Sequence, residues 1–191
     1  MSETLLSELT TLGVGGPART YVRARTEQEI IDALIAADDA GDQVLILGGG
    51  SNLVVGDDGF DGTVVHTAST GVTVRRAEDG RSARLSAEAG EDWDGLVARS
   101  LEEGLSGLET LSGIPGTVGA TPVQNVGAYG TEISQHFASA RLWDRVERRV
   151  EVFDRQRMAF AYRDSALKRE MLGPSPRWAV LQVSFDLEAV S

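Results

Sequence analysis

The sequence predicts an α+β protein in two blocks, residues 1–67 and 68–191, and three observations carry that expectation. A capped helix stands between short strands in the first block. The second block holds several alternating, strand-like segments around one further helix. Within the second block, residues 107–130 form a long glycine-containing stretch with little periodicity. Irregular segments of that length inside a compact domain usually serve function.

The elements follow in order. Residues 20–25 alternate Tyr21, Arg23 and Arg25 with Val22 and Ala24, the period of a strand. Thr26-Glu27-Gln28-Glu29 has the capping-box pattern; Ile30, Ile31, Leu34 and Ala37 then recur at helical spacing, and Gly41 supplies the stop. Val44–Leu47 is a short apolar run that reads as a buried strand, with two more expected at residues 53–55 and 63–66. Residues 71–76 and 83–87 flank Asp79-Gly80, a hairpin signal. Trp93, Leu96, Val97, Ser100 and Leu101 share one helix face, with Glu91 and Asp92 at its positive end and Gly104 after it. Alternating segments at 138–143, 149–153 and 178–187 complete the strands.

Composition narrows the function. With 18 Lys+Arg against 29 Asp+Glu, the 191-residue chain carries a formal net charge of −11. Such an acidic chain is a poor partner for nucleic acid or an anionic membrane. No apolar run approaches the ~20 residues of a bilayer span. Residues 1–12 lack a basic start and an apolar stretch, so no signal peptide is expected and a cytoplasmic location is. The absence of cysteine rules out disulfides, iron–sulfur ligation and zinc–cysteine sites, and no metal site is expected. Seventeen of the 18 basic residues are arginine, and Lys168 is the one lysine, a bias that reads as codon usage.

Two glycine loops carry the chemistry. Gly48-Gly49-Gly50-Ser51-Asn52 follows a buried strand but fails the dinucleotide fingerprint, because the sixth position is Leu53 and β-prone residues follow; no Gly-Lys-[Ser/Thr] completes a Walker loop. Three residues free to take positive φ, with bare N–H groups, suit a phosphate or diphosphate nest, and equally a tight strand-to-strand turn. The second loop runs from Ser112 to Gly130 with five glycines and two prolines, which exclude a long helix. Its apolar residues and amides suit a backbone lying against a flat ligand whose edge Gln124 and Asn125 would bond; a structural Ω-loop is the alternative.

In series, these stretches resemble one family. They are Thr11-Leu12-Gly13-Val14-Gly15-Gly16-Pro17-Ala18, Leu45-Ile46-Leu47 with the glycine nest, Gly90-Glu91-Asp92-Trp93, Gly107-Leu108-Glu109, residues 114–130 and Tyr162-Arg163-Asp164-Ser165. Their order and spacing resemble the UDP-N-acetylenolpyruvoylglucosamine reductases (UDP-N-acetylmuramate dehydrogenases) over nearly the whole chain. The resemblance implies a two-lobed vanillyl-alcohol-oxidase-type (PCMH-type) FAD-binding fold, with subdomains at 1–67 and 68–191 and the cofactor between them. It implies noncovalent FAD, NADPH as reductant and a UDP-sugar substrate. It places Leu47, Gly48, Gly49, Gly50, Ser51, Asn52 and Leu53 against the cofactor, together with Ile114, Pro115, Gly116, Gly119, Ala120, Gln124, Asn125, Gly127, Ala128, Tyr129, Gly130 and Tyr162. Arg163 matches the family's arginine beside the substrate carboxylate, where a cation would stabilise developing enolate charge. Read from the residues alone, Arg163 suits a surface salt bridge with Asp164 or a nearby acid.

The chain departs from the family in one large respect. Members continue, after a strand like that at 179–187, into a substrate-binding domain that supplies a serine proton donor and a late glutamate. These 191 residues contain neither context, so no proton donor is transferred and the chain is expected to be the FAD-binding part, inactive alone. Two other readings remain at this point: another noncovalent FAD oxidoreductase of the same fold, and a nucleotide-binding module without turnover. Covalent flavin attachment is not expected, because His66 and His136 lie outside both loops.

Overall fold

A computed structural model describes residues 4–190. The first sheet has three parallel strands in the order β1-β3-β2: β1 (Ala18–Ala24), β2 (Val44–Leu47) and β3 (Phe60–Thr67). Helix α1 (Glu27–Asp39) links β1 to β2. Thr26 caps it by accepting from the Glu29 N–H, while the Glu29 carboxylate reaches past the cap to the Arg25 N–H. Gly41, at φ +70°, ends it in a Schellman arrangement in which the Asp42 N–H donates to the Ala37 carbonyl.

The second sheet is antiparallel, in the order β10-β9-β13-β5-β4. It contains β4 (Val72–Arg76), β5 (Ser82–Glu88), the two-residue β6 (Leu105–Ser106, paired to β13), β9 (Phe137–Asp144), β10 (Arg149–Asp154) and β13 (Trp178–Ala189). Helix α2 (Trp93–Glu102) starts at Asp92, whose carboxylate accepts from the Gly95 N–H. Between β6 and β9 a small hairpin is made by β7 (Gly127–Ala128) and β8 (Thr131–Glu132). Short helices α3 (Arg155–Met158) and α4 (Ala166–Arg169), then β11 (Met171–Leu172) and β12 (Ser175–Pro176), lead into β13.

Two expectations need correction. Residues 53–55 form no strand. They belong to the crossover that carries the chain from the end of β2 back to the start of the parallel β3. Leu53 and Val55 pack beside Leu6, Leu47 and Val64 while Val54 is exposed, so the in-out alternation is real but no ladder forms. Leu101 sits at the edge of the α2 stripe and is 49% exposed, whereas Trp93, Leu96, Val97 and Ser100 are buried.

One face of the antiparallel sheet, with Leu85, Val183 and Phe185, packs under α2 and the glycine-rich middle of the chain. On the other face Trp143, Ala179 and Leu181 join Ala24, Ile30, Leu34, Val44 and Val65 in a shared core, so α1 and the parallel sheet rest on β9 and β13. Asp38 of α1 pairs at 2.5 Å with the buried Arg145 just beyond β9, and Glu27 pairs at 2.8 Å with Arg141. The sheets therefore pack together across α1, and the glycine nest follows the C-terminal end of β2.

Candidate functional site

A cleft of about 590 Å3 opens there. One wall is β2 with residues 48–53; another is Thr117, Gly119, Ala120, Val123 and Gln124; the third comes from Leu167, Lys168, Met171, Pro174, Pro176, Trp178 and Val180. Close packing dictates the nest sequence. A Cβ on Gly48 would stand 2.5 Å from Thr117 Oγ1, and one on Gly49 2.9 Å from the Gly116 Cα. Gly50 sits at φ +65° against the Leu9 carbonyl. Packing thus asks for glycine at all three positions. Ser51 Oγ donates to the Pro115 carbonyl at 3.0 Å and the Thr11 N–H to the Gly50 carbonyl at 3.0 Å, which fixes the loop between its neighbours.

The nest is also poised for an anion. Among the described residues, none of the backbone N–H groups of Gly48, Gly49, Gly50, Ser51 and Asn52 donates to another protein group, and all five residues line the cleft. Consecutive free N–H groups of this kind form an anion-binding concavity. Beside Gly48, the Thr117 Oγ1 is buried and has no hydrogen-bond partner among the described residues. Buried hydroxyls are normally bonded, so this orphan on the cleft wall fits a ligand group.

The second loop divides. Gly119 approaches Ala89 closely, its N–H donating to the Ala89 carbonyl at 2.8 Å, and with Ala120 and Gln124 it lines the cleft. Pro115 and Gly116 back the nest instead of facing the cavity. Ile114 and Ala128 pack against the large core. Asn125 corrects the sequence expectation most clearly. It is 1% exposed, at φ +46°, and its amide bonds the Glu132 carboxylate at 2.7 Å, the Ala161 carbonyl at 3.0 Å and the Ser134 N–H at 3.2 Å. Its side chain is thereby committed to protein partners and does not reach a ligand edge. Gly127, Tyr129 and Gly130 lie on or at the turn of the β7–β8 hairpin, outside the cleft wall, with Tyr129 91% exposed.

Tyr162 and Arg163 form a two-residue turn between Ala161 and Asp164, whose backbones exchange hydrogen bonds of 3.0 and 3.1 Å. Arg163 has φ +53°, at the turn position that usually requires glycine. Such strain in a side-chain-bearing residue is characteristic of functional positions. Neither residue lines the cleft; the Arg163 Nη2 donates to the Gly127 carbonyl at 2.6 Å, and Tyr162 projects into solvent. The salt bridge expected between Arg163 and Asp164 does not form. Asp164 pairs with Arg169, whose guanidinium holds its carboxyl below the ordinary value.

Sequence reasoning missed Lys168. It lines the cleft and its Nζ donates to the Arg163 carbonyl at 3.1 Å. The signal was its standing as the one lysine among eighteen basic residues. His66 is elsewhere, with Nδ1 2.7 Å from the Tyr21 hydroxyl and its pKa lowered by burial and then by Arg23. Among the described residues no helix is long and apolar enough to cross a membrane.

Residues 18–152 match the family model described as an FAD binding domain. The chain belongs to the FAD-binding domain family. It is 49% identical over 182 residues to the UDP-N-acetylenolpyruvoylglucosamine reductase of Saccharopolyspora erythraea, covering 95% of this chain and 48% of that protein. The corresponding reductase of Thermobifida fusca is 45% identical over 95% of this chain and 49% of its own length. The chain thus spans about half the length of these curated relatives. Among solved structures, the Thermus caldophilus reductase superposes with a TM-score of 0.76 at 28% identity, covering 100% of this chain and 63% of that one. A solvent-stable cholesterol oxidase shares the fold, with a TM-score of 0.64 at 15% identity over 88% of this chain and 34% of its own. A VAO-type flavoprotein from Myceliophthora thermophila shares the α+β fold too, with a TM-score of 0.64 at 14% identity over 88% of this chain and 31% of its own, and FAD is the cofactor of the family that the chain matches.

Proposed function

We propose that this chain is the FAD-binding portion of an NADPH-dependent reductase that converts UDP-N-acetylglucosamine enolpyruvate to UDP-N-acetylmuramate in the cytoplasm, for peptidoglycan synthesis. The observation that carries the reading is the 49% identity to a reductase over 95% of the chain, beside five N–H groups on the cleft wall that donate to no protein group among the described residues. Bound FAD supplies the hydride relay between NADPH and the enolpyruvyl double bond. The chain's own residues bind and orient. The nest from Gly48 to Asn52 takes the diphosphate, and Leu47, Leu53, Gly119, Ala120 and Gln124 flank the rest of the cofactor. Pro115 and Gly116 hold the nest in shape.

Arg163 belongs to the substrate side of this reading. Its guanidinium carries no ion pair among the described residues and rests on a backbone carbonyl, so a substrate carboxylate would meet a cation without competition. The exposed rings of Tyr129 and Tyr162 flank the same turn region. The two blocks, 1–67 and 68–191, act as the two FAD-binding subdomains. UDP-sugar contacts and the proton donor fall to the half of the reductase that these 191 residues do not represent. Noncovalent attachment is supported by the lack of cysteine and by the absence of both histidines from the cleft wall.

The test joins this chain to the remaining half of a reductase and follows product by chromatography, since oxygen can consume reduced flavin without product. Formation of UDP-N-acetylmuramate dependent on NADPH and on Arg163 supports the reading. Flavin binding without any product from the joined protein contradicts it.

A further inference from the structure

The walls of the cleft are almost free of charge in a chain whose net charge is −11. Of the 25 residues that line it, Lys168 alone carries a charged side chain. The arginines nearby are engaged: Arg169 pairs with Asp164, and Arg177 with Asp144 and Glu170. Lys168 makes no ion pair among the described residues; its ammonium bonds the Arg163 carbonyl, and Asp164, which its charge also reaches, is bonded by Arg169.

We infer that Lys168 is the anion contact of the cleft, its ammonium meeting a negatively charged group of the dinucleotide bound there. The inference rests on the FAD reading above for the identity of that dinucleotide. The nest offers only the partial charges of N–H dipoles to a diphosphate, and one full cation on the same wall complements it. Lys168 is exposed while lining the cleft, so solvent screens its charge and it acts on an anion at short range. The residue type fits. An ammonium has three donors, so one can stay on the Arg163 carbonyl while two turn to a ligand, whereas a guanidinium fork favours the paired carboxylates that this chain's arginines mostly serve. The bond to Arg163 also fixes where the ammonium stands. The negative group has two sources, the diphosphate or the ring of the reduced flavin.

Because Lys168 is the one lysine, its acetylation can be read residue by residue by mass spectrometry, with the chain's α-amino group as internal reference. Labelling of the purified chain is compared with FAD, ADP, inorganic pyrophosphate and riboflavin, the last both oxidised and reduced. In parallel, FAD affinity and its salt dependence are measured for Lys168→Met and Lys168→Arg, with melting temperatures to confirm folding. The expected result is protection of Lys168 by FAD, FAD binding about tenfold weaker in Lys168→Met with a shallower salt dependence, and near-parental binding in Lys168→Arg. Protection by ADP and pyrophosphate assigns the diphosphate; protection by reduced but not oxidised riboflavin assigns the ring. Parental FAD affinity in Lys168→Met, or undiminished labelling in the FAD complex, overturns the inference and leaves the FAD reading standing. A chain that binds no FAD but whose Lys168 is protected by pyrophosphate overturns the FAD reading and leaves the anion contact standing. Protection by none of the ligands overturns the anion contact.

Discussion

The side-chain amide of Asn125 donates to the backbone carbonyl of Ala161 at 3.0 Å, tying the β7–β8 region to the turn that carries Arg163. The same amide bonds Glu132 and Ser134, so one buried residue links three segments. Replacing it with leucine leaves a carboxylate, a carbonyl and an N–H without this partner, a loss of roughly 1–3 kcal/mol for each buried group left unpaired. The Arg163 turn should loosen before the rest of the fold. Trypsin cleavage after Arg163 is expected to rise selectively in Asn125→Leu, with cleavage after Arg148 and Arg157 unchanged. A uniform rise at every site would assign Asn125 to global stability instead.

The close approach of Gly49 to Gly116 predicts a sharp contrast between two glycines of one loop. Gly49→Ala places a methyl 2.9 Å from the Gly116 Cα, whereas a Cβ on Gly56 meets nothing within 4 Å. Overpacking against backbone typically costs about 1–3 kcal/mol. Gly49→Ala should therefore lose both stability and flavin, and Gly56→Ala neither, as read by denaturant unfolding and by cofactor retained through gel filtration. Equal behaviour of the two variants would show that the loop tolerates movement at the nest.

Much of this was legible in the sequence, and what was missed has physical causes. Helix α1 and strand β2 were readable because cap, stripe and glycine stop agree locally. The hairpin of β4 and β5 was readable from Asp79-Gly80. Residues 53–55 misled because alternation reports a half-buried extended segment and says nothing of a pairing partner. The two-residue strands β6, β7, β8, β11 and β12 are too short to have a period. At the site, the glycine run left a phosphate nest and a tight turn both open, and the side chain of Asn125, read there as a ligand contact, is held by long-range partners at 132, 134 and 161. That Lys168 is the one charged side chain lining the cleft among the described residues depends on what else lines it, which no local pattern encodes.

Arg163 gives a separable prediction. Its φ of +53° is costly for arginine and free for glycine, so Arg163→Gly should fold at least as well as the parent. In a reductase that contains this half, the same change should lower turnover by about a hundred- to a thousandfold while FAD stays bound, as expected for loss of a charge that stabilises the transition state. Product formation at saturating substrate, beside the flavin absorbance, checks both parts. Near-parental turnover would remove Arg163 from the chemistry.

Acid stability should report on Asp144. Burial pushes this carboxyl up, but the Arg177 guanidinium, bonded at 3.0 and 2.7 Å, and the N–H groups of Val146 and Glu147 more than offset it and hold it below its ordinary value. A depressed carboxyl contributes stability that is complete above its unfolded value, about 3.9, and is lost as the pH falls through the lower folded value. Melting temperature should therefore drop steeply below about pH 4. In Asp144→Asn it should start lower at neutral pH, with Arg177 deprived of its partner, and fall less steeply in acid. An unchanged acid slope in the variant would place the sensitivity elsewhere.

The measurement closest to the central claim is a titration of FAD into the purified chain, followed by flavin fluorescence and calorimetry, with the complex then precipitated in acid. The account predicts saturable binding of one FAD per chain, and release of all flavin into the acid supernatant. Failure of the folded chain to bind FAD, or flavin that stays with the precipitated protein, would contradict it.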